Sequence, residues 1–245
     1  MYSGVLKIVR FNWPWYLMAI VITFSVALCF YLGILSRPWT AIVVGGPNVA
    51  NIWLVASLVV SHYIYDRSGI QHGAWLDGVN AANAGHVGIF HAGHDEASKA
   101  VALRLPSSKV QVFDFYDRGR LGSASLERAR AVAARRDSAI PLDTIPLGHD
   151  SLDLALLVFA AHEIRDANQR AILFRELSRV LAPSGQLIVV EHLRDVWNFL
   201  AYGPGAFHFL SRRTWGASFD DAGIKISREY SCTPFVRIFV LRKNQ

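Results

Sequence analysis

The sequence predicts an α/β domain, a largely parallel sheet with helices on both faces, carried behind an N-terminal transmembrane helical hairpin. Three observations predict it. Two long apolar stretches without Asp, Glu, Lys or Arg precede residue 66, apart from a single Arg37 between them. After residue 85, short apolar runs alternate with helical patterns, which is the signature of strand–helix–strand units. Polar residues gather at the ends of those runs, where such sheets bind ligands.

Composition narrows the class. Of the 245 residues, 52% are apolar and only 18% charged, and the apolar excess lies at the N-terminus. Once an anchor is set aside, the remaining length suits one α/β unit. The formal charge is +6, but the basic residues are scattered or sit on RARAVAARR (128–136) without interleaved aromatics, so no nucleic-acid partner is expected. That face is read as solvated, or as lying on anionic headgroups if the chain is anchored. Cys29 and Cys232 are too few for a disulfide framework or a thiolate metal site, and they fit a reducing cytosolic face.

From Phe11 to Ser36 there is no charged residue, and WYLMAIVITFSVALCFYLGIL is nearly all apolar. At 1.5 Å per residue this run is long enough for a hydrocarbon core of about 30 Å. Trp13, Trp15 and Tyr16 at one end, with Tyr31 and Trp39 near the other, suit the headgroup level. A secretory leader fits less well, because the run exceeds the usual apolar region and no small-residue cleavage site follows it. The second uncharged stretch, from Pro38 to Tyr65, contains GGPN at 45–48 and resumes as VANIWLVASLVVSHYIY. Gly45, Gly46 and Pro47 are expected to break or bend it. His62 is read as an interfacial or helix-packing residue. Lys7 and Arg10 before the first span, and Arg67 after the second, outweigh Arg37 in the connection, which puts both ends in the cytosol. The expected division is a membrane anchor over 1–68 and a soluble domain over 69–245, joined by a Gly- and Ala-containing linker (69–85).

The elements of that domain follow in order. HVGIF (86–90) reads as a strand, HAGHDEAS as a turn and EASKAVALRL as a helix. KVQVFDFYD is β-branched and aromatic, and SASLERARAVAARR is helical with a capping Ser. LDLALLVFAAHEI (152–164) is a continuous apolar run, as for a strand buried on both faces. NQRAILFRELSRVLAPSG reads as a helix closed by Pro and Gly, and GQLIVVEH as the next strand. IKISREYSC and FVRIFVLRK form a final antiparallel pair. His91, His94, Asp95 and Glu96 follow the first strand, Asp114 and Asp117 the second, His162 and Glu163 the apolar run, and Glu191 and His192 close the strand after it. Four strand ends in succession offering His or carboxylate imply a functional cleft.

From His86 to Lys243 this order resembles the class I S-adenosylmethionine-dependent methyltransferases, with their Rossmann-like sheet. VQVFD (110–114) resembles the family's second strand with its terminal acid, and SLERARA (125–131) the helix after it. IPLGHDSLDLALLVFAAHEI (145–164) resembles the segment leading into the fourth strand, and ELSRVLAPSGQLIVVEH (176–192) the next helix, turn and strand. The resemblance implies S-adenosyl-L-methionine as cofactor, with Asp114 on the ribose hydroxyls and Asp143 near the adenine amine. His91, Gly93, His94, Phe115 and Ala160 would complete the cofactor site. The Gly-rich loop of the family is here HAGHDEAS, with only Gly93 in place, so His91 and His94 would line a modified pocket.

Methyl transfer is an in-line displacement in which the protein aligns nucleophile and methyl carbon and excludes water. A base helps where the acceptor carries a proton. His162 is the first candidate and His192 the second, with Glu163 orienting either or holding an amine. The segment NFLAYGPGAFHFLSRRTW (198–215) is more apolar than a surface loop should be, and it is expected to form a substrate lid that meets the bilayer. His208 within it faces the acceptor or packs among aromatics. Anchoring points to a hydrophobic, membrane-resident acceptor of lipid, quinone or isoprenoid type. The rival readings are a metal site built from His91, His94, Glu163 and His192, and a noncatalytic tethered scaffold.

Overall fold

The computed structural model describes residues 4–34, 37–117, 119, 124–131 and 137–244. The last part of the basic stretch, 132–136, lies outside them. Helix α1 runs from Gly4 to Tyr31 with a kink at Asn12 (φ −115°, ψ 15°), two residues before Pro14. Proline offers no N–H to the ladder, and at the kink the Asn12 side-chain amide donates to the Ile8 carbonyl at 3.1 Å. Helix α2 runs from Arg37 to His62 with Pro47 inside it. The break expected at 45–48 therefore does not occur, and Asn48 Nδ2 donates to the Val44 carbonyl at 2.8 Å within the unbroken helix. Both helices are long and apolar enough to cross a membrane, and no residue in the most apolar stretch of either is buried.

The expected linker is a packed segment. After α2 come a π turn at Tyr63–Arg67 and 3-10 turns at Ile70–His72 and Ala74–Leu76. Ile64, Ile70, Trp75 and Leu76 are buried in the core layer on one face of the sheet. Trp75 has no exposed surface, and its Nε1 donates to the Ile70 carbonyl at 3.1 Å. A buried indole of this kind is a large share of a small core. Trp75→Ala should cost about 3–5 kcal/mol, read as a lower denaturant midpoint of the full chain in detergent.

The remaining elements are β1 (His86–His91), α3 (Ser98–Arg104), β2 (Lys109–Asp114), α4 (Ala124–Ala131), β3 (Ser138–Ala139), β4 (Leu152–Val158), α5 (Ala167–Val180), β5 (Leu181–Glu191), α6 (Val196–Tyr202), α7 (Arg212–Asp220), β6 (Ile224–Thr233) and β7 (Val236–Lys243). They form a sheet of order β3-β2-β1-β4-β5-β7-β6. Strands β1 to β5 pair in parallel, while β7 runs antiparallel between β5 and β6. Two boundaries differ from the sequence reading. The apolar run from 152 ends as strand at Val158, and β5 begins directly after α5, taking in the Pro and Gly expected to form a turn.

Strands buried on both faces explain the continuous apolar runs. In β5, Leu187 and Val189 belong to the core layer shared with α5 and α7, through Phe174, Leu177, Trp215 and Phe219. Ile188 and Val190 belong to the opposite layer with Trp75, Ala100 and Val101. The chain order reverses between β1 and β4, so the ligand-binding crevice of such a sheet opens beyond His91, Asp114 and Glu191.

Candidate active site

The carboxyl ends of β1 and β2 meet at Asp114, a residue buried to 4% exposure. Its Oδ1 accepts from the Gly93 N–H at 2.8 Å and the Tyr116 N–H at 2.9 Å, and its Oδ2 accepts from the Arg130 guanidinium. Gly93 stands at φ +83°, and a Cβ there would lie 3.2 Å from both Arg130 and Tyr116, so this one glycine is required by backbone geometry and by space. The Arg130 guanidinium stacks 4.5 Å over the Tyr116 ring. His91 is buried, with Nε2 at 3.1 Å from Asp137 and Nδ1 at 3.7 Å from Asp114. His94 sits 3.6 Å from Glu96 and edge-on to Phe11 of α1 at 5.6 Å. Asp95 accepts from the Ala97 and Ser98 N–H groups and so caps α3.

A carboxylate has about four acceptor positions, and three on Asp114 are filled from within the chain. A ribose diol needs two. With Arg130, a long side chain about one-third exposed, displaced, Asp114 would have the two acceptor positions a ribose diol needs, beside the Gly93 backbone. Among the other expected cofactor residues, Phe115 and Ala160 lie in the core beneath the strand ends, which removes their side chains from a ligand surface. Asp143 is exposed and takes the Thr144 hydroxyl at 3.3 Å.

The second half of the site begins where β4 ends. Phe159 has φ +50°, an uncommon conformation for a bulky residue, and its N–H donates to the Val190 carbonyl at 2.9 Å. The turn delivers a 3-10 segment, Ala161–Glu163, against the end of β5. Glu191, with no exposed surface, accepts from the His162 N–H at 3.2 Å and from its Nδ1 at 2.7 Å. This bond fixes the ring orientation and turns Nε2 toward Glu163. Glu163 lies 3.4 Å from that nitrogen and His208 4.0 Å from Glu163.

Burial pushes the His162 pKa down, but the Glu191 charge, with Glu163 beside it, outweighs this and raises it to about 10. Glu163 is held below its ordinary value: burial acts upward, and the hydrogen bond and charge of His162 overcome it. Burial, reinforced by the His162 and Arg165 charges, lowers His208 to about 4. Glu191 was not among the residues singled out for catalysis from the sequence, although a carboxylate closing an apolar strand has to find a partner when buried.

His192, the second expected base, is committed elsewhere. Its Nδ1 donates to the Phe235 carbonyl at 2.9 Å and its Nε2 lies 3.3 Å from the Tyr65 hydroxyl. Its ring stacks between Phe159 at 4.8 Å and Phe209 at 4.9 Å. Burial lowers its pKa to about 4, so it is a neutral packing residue with no nitrogen left for a substrate. The four residues of the metal reading are likewise dispersed among these separate partners. Among the described residues, the side chains that converge are His162, Glu163 and His208, with ligand atoms within 4.8 Å. The Arg165 guanidinium lies against His208, 2.7 Å from Nε2, and places a positive charge where a cation would sit.

Helix α6 and the 3-10 segment Gly203–His208 border this site and leave Val196, Trp197, Leu200 and Phe207 exposed. Phe199 packs edge-on against Trp53 of α2 at 5.8 Å, so this apolar surface is continuous with that of the N-terminal helices. His208 packs at 5.5 Å from the His162 ring.

Comparison with known proteins sets this site in a fold. The methyltransferase domain family matches residues 121–189. Mitomycin 7-O-methyltransferase superposes with a TM-score of 0.52 at 18% identity, over 81% of this chain and 63% of that one. A SAM-dependent methyltransferase from Aquifex aeolicus gives 0.53 at 16%, over 72% and 93%. Human N-acetylserotonin methyltransferase, solved in complex with SAM, gives 0.52 at 14%, over 84% and 59%. The chain thus spans less than two thirds of the length of the first and third. No curated protein matches its sequence. The sheet has the SAM-dependent methyltransferase fold.

Proposed function

We propose that this chain is a membrane-anchored S-adenosylmethionine-dependent methyltransferase acting on a hydrophobic small molecule of lipid, quinone or isoprenoid type. One observation carries the reading: a buried Glu191–His162 pair stands at the strand ends of a methyltransferase-type sheet, with the Asp114 carboxylate two strands away. The cofactor, when bound, supplies an electrophilic methyl group on a sulfonium. Asp114 and the Gly93 backbone would hold its ribose. His162 Nε2 receives the proton of the acceptor O–H or N–H, and Glu191 stabilises the imidazolium that results. Glu163 and Arg165 balance the charge around it. Support for a protonated acceptor comes from the mitomycin enzyme, by name an O-methyltransferase.

The anchor reading rests on two apolar helices and on the apolar surface of α6 beside them. Lys7, Arg10 and Arg67 favour a cytoplasmic active site. The test is transfer of labelled methyl from S-adenosylmethionine into a membrane lipid extract by the full chain. Label in the lipid phase, lost in Asp114→Ala, supports the reading, and absence of label in every extract overturns it.

The raised His162 pKa has a consequence for pH dependence. A base must be deprotonated to act, so the logarithm of kcat/KM should climb with pH toward about 10 with unit slope for a non-ionising acceptor. Removing the carboxylate in Glu191→Gln takes away the upward push, so the limb should move down toward the ordinary histidine range. An unmoved limb would show that another group is titrating.

A further inference from the structure

Between α1, α2 and the turn after α6 lies a cavity of about 430 Å³, lined by Trp15, Met18, Ile22, Trp53, Leu54 and Tyr202 among others. Its polar lining includes Thr23 and Asn51, and these satisfy one another: Asn51 Nδ2 donates to Thr23 Oγ1 at 2.9 Å, and Thr23 donates to the Ala19 carbonyl at 2.7 Å. An apolar space of this kind offers water too few partners and suits a small ligand in size. Its floor is fixed. Gly203 stands at φ +55°, and a Cβ there would come within 2.5 Å of the Trp53 ring, so the chain passes Trp53 at backbone distance. Tyr202, which lines the cavity, packs 5.6 Å from Phe209, and Phe209 packs 6.5 Å from His162. The cavity therefore lies one aromatic layer from the proposed base.

We propose that this cavity is the subsite for the single hydrocarbon tail of the acceptor, with the acceptor's polar head at His162. The inference rests on the methyltransferase reading for the identity of the head group, but the tail site stands on the cavity itself. The commitment to a tail follows from three observations. The walls are hydrocarbon and aromatic with the polar pair closed on itself, the cavity adjoins the exposed apolar surfaces of α1 and α2, and Tyr202 in its wall packs on Phe209, the ring that meets His162. The volume suits one chain. The site would select amphiphiles with one long tail, and short-tailed analogues would bind more weakly because they leave the walls without contact.

The experiment uses the full chain in lipid nanodiscs and a 4-hexadecylphenol carrying a diazirine in mid-chain, photolysed and mapped by peptide mass spectrometry. Labels should fall on the peptides bearing Trp53 and Tyr202 and be competed by unlabelled hexadecylphenol. Ala50→Trp, which fills the cavity, should reduce that labelling by an order of magnitude, whereas Ile52→Trp on the exposed face should leave it unchanged. Label spread over the lipid-facing residues Ile20 and Phe24, uncompeted and equal in both variants, would mean bulk lipid contact only and would overturn the proposal. S-adenosylmethionine binding is measured on the same samples. Cavity labelling without cofactor binding would retain the tail site and remove the methyltransferase reading, and the reverse pattern would do the opposite.

Discussion

His162→Gln should lower kcat for methyl transfer by about 10²–10⁴-fold, the usual contribution of a positioned general base, with little change in S-adenosylmethionine affinity. Nδ1 is bound to Glu191 at 2.7 Å, so the ring has one orientation, and Nε2, beside Glu163, is the nitrogen that would meet the substrate. Glu191→Gln keeps the shape and the acceptor oxygen but removes the charge that holds His162 protonated, so it should lose less at neutral pH than at alkaline pH. His192→Gln provides the contrast. It should cost stability through loss of the stack with Phe159 and Phe209 while leaving the pH profile of the surviving enzyme unmoved.

The second large effect lies at Asp114. Asp114→Ala should weaken S-adenosylmethionine binding by about 10- to 100-fold, because hydrogen bonds to a charged acceptor contribute roughly 1.5–3 kcal/mol each. Arg130→Ala should act the other way. Its ion pair with Asp114 competes with the ribose hydroxyls, and a partly exposed pair of this kind is worth at most about 1 kcal/mol, so freeing the carboxylate should tighten binding by up to about fivefold. Calorimetry of the two variants in detergent checks both signs. Weakened binding in Arg130→Ala would make that side chain a strap that the nucleoside site needs.

Much of the fold was legible because its signals are local. The continuous apolar runs around Leu152–Val158 and Leu187–Val190 belong to strands buried on both faces, and the charge-free stretches became α1 and α2. What could not be read depends on contacts distant in sequence. Residues 69–85 look like a linker by composition, yet Trp75 finds a sheet face to fill. Gly45, Gly46 and Pro47 look like a break, but α2 continues through them, as apolar helices often do where neighbours re-satisfy the freed backbone.

The site shows the same division. Asp114, His162 and Glu163 stand at strand ends that the pattern marks. The buried partner of His162, Glu191, is 29 residues away, and the cation on Asp114 is Arg130, one basic residue among several on its helix. Strand periodicity contained the missing hint: Glu191 shares the face of Leu187 and Val189, the side from which α5 approaches, while His192 turns to the other. Nothing local distinguishes a histidine held by a backbone carbonyl and a tyrosine, as His192 is, from one held between two carboxylates, as His162 is.

The most direct test is a calorimetric titration of S-adenosylmethionine onto the full chain in detergent micelles, with Asp114→Ala run beside it. Saturable heat from one site per chain, weakened in the variant, is the expected result. No heat from the native chain, with Arg130→Ala equally silent, would mean that the strand ends around Asp114 are closed to the nucleoside, and the enzymatic assignment would fall.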